Sequence, residues 1–126
     1  MEQADILIVD DNPEIREIIQ ILLSGEGFQV HEAANGTQAL SLLKENTFDL
    51  IILDIMMPGL NGYQTCREIR KSTNVPILFL SARTQESDKT LGFSSGGDDY
   101  LAKPFSYAEL VSRAKAMIRR YQVYQG

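Results

Sequence analysis

The chain has 126 residues and 14.1 kDa, with 44% hydrophobic residues, a net charge of −5 and a pI near 4.8. That composition fits one globular domain, and the acidity argues against this chain itself binding nucleic acid. No apolar stretch approaches the ~20 residues of a membrane span, and the start Met1-Glu2-Gln3-Ala4-Asp5 is not signal-like, so a cytoplasmic protein is the default expectation.

In chain order, Ile6-Leu7-Ile8-Val9 is an unbroken apolar run, the mark of a strand covered on both faces. Asn12-Pro13 then supplies an N-cap followed by proline at the first helical position. Ile15, Ile18, Ile19, Leu22 and Leu23 fall on one face of that helix, which Gly25 and Gly27 end. Phe28 to Glu32 reads as a more polar edge strand. Asn35-Gly36 turns into a second helix carrying Ala39, Leu42 and Leu43 inward. The run Leu50 to Leu53 is a third strand, followed by a Pro58-Gly59 turn and a helix with the stripe Tyr63, Cys66 and Ile69. Pro76 opens a fourth strand, Ile77 to Leu80.

A less clearly patterned fourth helix covers roughly Gln85 to Ser95, and a fifth strand runs from Asp99 to Ala102. The last helix starts at Ser106-Tyr107-Ala108-Glu109, a capping-box pattern, with Leu110, Ala114, Met117, Ile118 and Tyr121 as its apolar stripe. Arg119 and Arg120 are expected at its carboxyl end, where the helix dipole favours cations. Residues 122–126 read as the start of a linker or tail. The single Cys66 rules out an internal disulfide and reads as buried filler, and the lone His31 reads as surface decoration.

Five βα units in a row predict a doubly wound, flavodoxin-like α/β sandwich with a parallel sheet in the order 2-1-3-4-5. Its ligand crevice falls between strands 1 and 3, whose apolar runs end in Asp10-Asp11 and Asp54. Lys103-Pro104 follows the fifth strand. Taken singly, each acid reads equally well as a helix cap. Gathered at one sheet edge, carboxylates within ~4–6 Å repel, and a divalent cation with oxygen preference, Mg²⁺ (or Mn²⁺), resolves the repulsion.

The pattern resembles the receiver domain of two-component response regulators over essentially the whole chain. The matching segments are Ile6 to Asp11, Leu53-Asp54-Ile55-Met56-Met57-Pro58-Gly59-Leu60-Asn61-Gly62, Leu80-Ser81-Ala82 and Gly97 to Phe105. The resemblance implies a receiver over residues 1–121, with Asp54 as the phosphoacceptor served by a sensor histidine kinase. It also implies that Asp10 and Asp11 hold Mg²⁺, with Asp11, Asp54 and the Met56 carbonyl as direct ligands. Lys103 and Ser81 would contact phosphoryl oxygens, Lys103-Pro104 would be cis, and Ser81 with Tyr100 would form the switch. Such a domain is not an enzyme in the usual sense, since it catalyses only its own phosphorylation and slow dephosphorylation.

The stretch from Lys89 to Arg120 is similar to the OmpR/PhoB branch, whose effector is a winged-helix DNA-binding domain. That implies a homodimer on phosphorylation, through the fourth helix, fifth strand and fifth helix. Its cross-subunit pairs would be Lys89 with Glu109, Asp99 with Arg113 and Asp98 with Arg120. DNA would be met only through a C-terminal domain absent from these residues. Three departures stand out: serine for threonine at 81; Gly97 for alanine, expected to loosen its loop; and Met56 with Arg83 beside the acceptor, expected to slow self-dephosphorylation. A haloacid-dehalogenase-type phosphatase would need a second acid where Met56 stands, and a flavodoxin would need a hydroxyl-rich loop after the first strand. Walker and G-x-G-x-x-G patterns are absent. A stand-alone receiver acting by protein docking is the remaining alternative.

Overall fold

A computed structural model describes residues 3–82 and 96–125. Five strands, β1 (Asp5–Val9), β2 (Gln29–Ala33), β3 (Leu50–Asp54), β4 (Ile77–Ser81) and β5 (Asp99–Ala102), form one sheet. Every pairing is parallel and the spatial order is β2-β1-β3-β4-β5, as the alternation predicts. Helices α1 (Pro13–Gly25), α2 (Gly36–Glu45) and α3 (Gly62–Arg70) link the first four strands, and a C-terminal helix spans Tyr107–Gln125. The helix expected over Gln85 to Ser95, together with Arg83 and Lys89, lies outside the described residues.

The apolar runs are explained by burial on both sides. Alternate residues of the central strands feed two separate cores, because successive side chains of a strand point to opposite faces. Leu7, Val9, Ile51, Leu53, Ile77 and Phe79 pack with Ala39, Tyr63, Cys66 and Ile69 on the α2 and α3 side. Ile6, Ile8, Leu50, Ile52, Leu78 and Leu80 pack with Ile19, Leu23, Leu110 and Ala114 on the side of α1 and the C-terminal helix. Each fully buried Ile or Leu contributes roughly 1.5–3 kcal/mol, so the central strands are the stable scaffold on which the loops stand.

The helix starts are set by side-chain caps. Asn12, Asn35 and Asn61 each accept a backbone N–H of the first turn, and Gln64 returns a bond to the Asn61 N–H, completing a capping box on α3. At the C-terminal helix, Ser106 accepts the Glu109 N–H at 3.0 Å. The Glu109 carboxylate turns instead to Arg113, so only half of the expected box forms there.

Some expectations need correction. The C-terminal helix continues through residues 122–125, so Arg119 and Arg120 lie within it rather than at its end. His31 is half-buried, 3.2 Å from Asp5 Oδ1 and edge-on to the Phe48 ring, so it is more than surface decoration. Ile18 is more exposed than its place in the stripe suggested. Gly97 does not loosen its loop: a Cβ there would stand 2.1 Å from Phe79 Cε2, and its absence lets backbone and ring meet.

Candidate functional site: an acidic pocket at the carboxyl edge of the sheet

Reversal of strand order at β1 leaves a crevice between the carboxyl ends of β1 and β3. Asp10 stands one residue past β1, where its N–H still pairs with the Ala33 carbonyl at 3.2 Å. Its side chain is 1% exposed; Oδ1 accepts the Asn12 N–H at 2.9 Å and Oδ2 accepts Lys103 Nζ at 3.1 Å. Arg16 Nη1 donates to the Asp10 carbonyl at 2.6 Å and Nε meets Glu32 at 3.2 Å, tying α1 and β2 to this turn. Nothing in the local sequence pattern singles out Arg16 for that role.

Asp54 ends β3 and is buried, while Asp11 is exposed. Carboxylate oxygens of Asp10, Asp11 and Asp54 all lie within 4.8 Å of one another. Lys103 Nζ reaches Asp54 Oδ1 at 3.3 Å, so one ammonium bridges two buried carboxylates. Burial, and then the neighbouring charge of Asp10, push the Asp54 carboxyl up to about 6, against the pull of Lys103 and of a hydrogen bond from the Met56 backbone. Burial by itself works to lower the Lys103 ammonium, yet Asp10 and Asp54 outweigh it and hold that group above its usual value.

The remaining predicted residues frame this centre. Ser81 is buried at the end of β4, and its carbonyl accepts the Lys103 N–H at 2.6 Å. The Lys103-Pro104 bond is cis. The Met56 side chain is 55% exposed, at the mouth of the site. Tyr100 is buried on β5, with its hydroxyl 3.0 Å from that of Tyr63 on α3. Reading Tyr63 only as part of an apolar stripe missed that contact.

Residues expected at a dimer surface lie on or beside β5 and on the C-terminal helix, with partners inside this chain. Arg113 Nη1 grips both oxygens of Asp99 at 2.9 and 2.8 Å, and Arg113 Nη2 reaches Glu109 at 3.1 Å. Asp98 Oδ2 accepts Arg70 Nη2 at 2.7 Å and the Ile77 N–H at 2.9 Å. Arg120 Nε donates to the Ala116 carbonyl at 3.4 Å.

Chemically, three clustered carboxylates with, among the described residues, the Lys103 ammonium beside them make an all-oxygen donor set that suits a hard divalent cation. A doubly wound sheet with such a cluster at its switch point defines a flavodoxin-like α/β domain of the receiver type. The family model described as the response regulator receiver domain matches residues 6–115. The chain therefore belongs to the response regulator receiver domain family and is a receiver domain of a two-component response regulator.

Among curated proteins, it is 51% identical over 120 residues to the uncharacterized transcriptional regulatory protein YrkP of Bacillus subtilis, covering 95% of this chain and 52% of that one. It is 47% identical over 115 residues to the DNA-binding response regulator MtrA of Mycolicibacterium smegmatis, covering 91% and 50% respectively. The chain spans about half the length of these relatives. Among solved structures, a putative response regulator from Chloroflexus aurantiacus superimposes with a TM-score of 0.89 at 39% identity, covering 94% of this chain and 99% of that one.

Proposed function

We propose that the domain accepts a phosphoryl group on Asp54 from the phosphohistidine of a sensor histidine kinase, with Mg²⁺ or Mn²⁺ held by Asp10, Asp11 and Asp54 and by the Met56 carbonyl. The observation that carries this reading is the meeting of three carboxylates within 4.8 Å with a lysine that bridges two of them. An ionised Asp54 oxygen attacks phosphorus; an O–P bond forms as the N–P bond of the donor breaks, and the imidazole leaves. Asp54 is buried beside its reaction partners, so little motion is needed to align it. When bound, the cation offsets negative charge on the transferring group. Lys103 swings from its carboxylate partners to a phosphoryl oxygen, and Ser81 donates its hydroxyl to another.

Incubation with acetyl phosphate and Mg²⁺ tests this: the intact protein gains one phosphoryl mass and Asp54→Ala gains none. Equal labelling of both overturns the reading.

The output we infer is control of transcription through a DNA-binding domain of the winged-helix kind, joined C-terminal to these residues. Relatives named as DNA-binding or transcriptional regulators, twice as long as this chain, support it. On phosphorylation the β5 and C-terminal-helix surface pairs with a second copy: Asp99, Arg113 and Glu109 exchange internal partners for external ones, Asp98 meets Arg120, and Lys89 meets Glu109. Exposed pairs contribute only about 0–1 kcal/mol each, so the dimer depends on all of them acting together. Sedimentation with and without beryllofluoride measures the effect, and a monomer in both states counts against the dimer.

A further inference from the structure

Tyr100 occupies a pocket built by residues that no receiver role has been given. Its ring lies 6.0 Å, tilted, from the Phe79 ring, and Phe79 in turn meets the Tyr63 ring edge-on at 5.4 Å. Both tyrosines are more than 90% buried, and their hydroxyls are 3.0 Å apart. A buried tyrosine ring needs a partner for its oxygen, because a hydroxyl taken from water without one carries the full desolvation cost. For Tyr100 that partner is Tyr63.

Two glycines make the arrangement possible. Gly97 lets Phe79 lie flush against the chain just before β5, where any Cβ would overlap the ring. Gly62 seats the start of α3 directly on the acceptor strand: a Cβ there would stand 2.5 Å from the Asp54 carbonyl oxygen and 2.7 Å from the Ile55 Cα. Its N–H also donates to the Ile55 carbonyl at 2.9 Å. Tyr63 is the next residue, so the hydroxyl that holds Tyr100 is anchored one residue from the backbone of the acceptor loop.

We propose that Tyr63 is a positioning residue that sets the Tyr100 ring inward through the hydroxyl–hydroxyl bond, before any phosphoryl group arrives. This rests on the reading of Asp54 as acceptor, and it replaces the expected switching of Tyr100 by a ring that α3 has already set. Two consequences follow from the geometry. The inward arrangement is held by two side chains of the same chain, and phosphorylation acts on an equilibrium already tilted by α3. A ligand shifts such an equilibrium only by its differential affinity for the two states, so a pre-set ring leaves little further shift to be made at this residue.

The test is nuclear Overhauser contact between the ring at 100 and the Phe79 ring, measured by NMR on ring-labelled protein without metal or phosphoryl donor. The wild type shows strong contacts. Tyr63→Phe keeps the ring's shape but leaves the Tyr100 hydroxyl without that bond, and the inward-to-outward ratio falls about tenfold. Tyr100→Phe, alone or combined with Tyr63→Phe, keeps the contacts, because a ring without a hydroxyl needs no partner at position 63. Added beryllofluoride and Mg²⁺ restore the inward ring in Tyr63→Phe and change little in the wild type. Wild-type contacts in Tyr63→Phe, or a double variant as depleted as Tyr63→Phe, overturn the proposal. If Tyr63→Phe does not fold, a cross-peak between the two tyrosine hydroxyl protons of the wild type carries the test, and its absence overturns the proposal. A ring that answers to Tyr63 while beryllofluoride has no effect on any variant supports the latch and defeats the acceptor reading.

Discussion

The two ends of the sheet treat acidic side chains in opposite ways. At the amino edge, Asp49 accepts the Asp5 N–H at 2.8 Å, Asp5 meets His31 at 3.2 Å, and Asp98 takes both Arg70 and the Ile77 N–H. Those carboxylates close off strand ends and have donors of their own. At the carboxyl edge, Asp10 and Asp54 share the single ammonium of Lys103, with Asp11 beside them, and Asp54 titrates far above its ordinary value. An acid at a strand end is structural where it stands apart and partly exposed, and chemical where it is buried among other carboxylates. Burial and crowding separate the two, since Asp10 and Asp54 also have backbone donors, at Asn12 and Met56.

The largest effect that can break this contrast comes from Asp54→Asn. Phosphoryl uptake falls at least ~10³-fold, since the nucleophile is gone, while the metal-free protein gains stability at pH 7.5 because a crowded charge has been removed. Loss of stability on that substitution would show that the bonds from Lys103 and Met56 outweigh burial and crowding at Asp54.

Asp98→Ala at the other end gives the mirror image. Its loss leaves the Ile77 N–H without its acceptor and costs about 1–2 kcal/mol, read as a lower urea midpoint, with uptake on Asp54 within twofold of the wild type.

The pH dependence sharpens the same point. Asp54 moves from 3.8 to about 6 on folding, so the folded chain keeps its proton longer than the unfolded one. This group therefore does least harm below pH 3.8, and stability falls as pH rises from there through about 6, by roughly 1–3 kcal/mol in the metal-free protein. The difference in urea midpoint between wild type and Asp54→Asn should widen over that window and then level off. Protons and cation compete for the same oxygens, so Mg²⁺ affinity, followed by titration, drops about tenfold at one unit below the Asp54 value.

The smallest effect concerns Met56, whose side chain stands exposed at the mouth of the site. An amide there can orient an attacking water where a thioether cannot. Met56→Asn should shorten the phosphoryl lifetime roughly threefold to tenfold; an unchanged lifetime removes Met56 as the cause of slow loss.

Much of this molecule is legible in the residues because the decisive signals are local. Unbroken runs such as Ile51-Ile52-Leu53 declare strands buried on both faces, asparagines at 12 and 35 start helices, and the strand order then brings Asp10 and Asp54 together. What escaped is long-range packing. Tyr63 carries an apolar period and a polar tip, and only the fold shows that the tip meets Tyr100, 37 residues on. Gly97 looked like slack until the Phe79 ring was found against it. Arg70 donates to the Val75 and Gly96 carbonyls and to Asp98. A lone arginine at a helix end gives no hint of that. The resemblance matches Asp98, Asp99 and Glu109 to partners on a second copy, and only the fold shows that within one chain Arg70 and Arg113 also engage them.

Cys66, fully buried on α3, is the chain's single thiol. A sulfur-directed reagent must wait for that helix to lift from the sheet before it can react. The rate at which the folded protein consumes such a reagent is therefore a stopwatch on the helix that carries Tyr63, needing no engineered label.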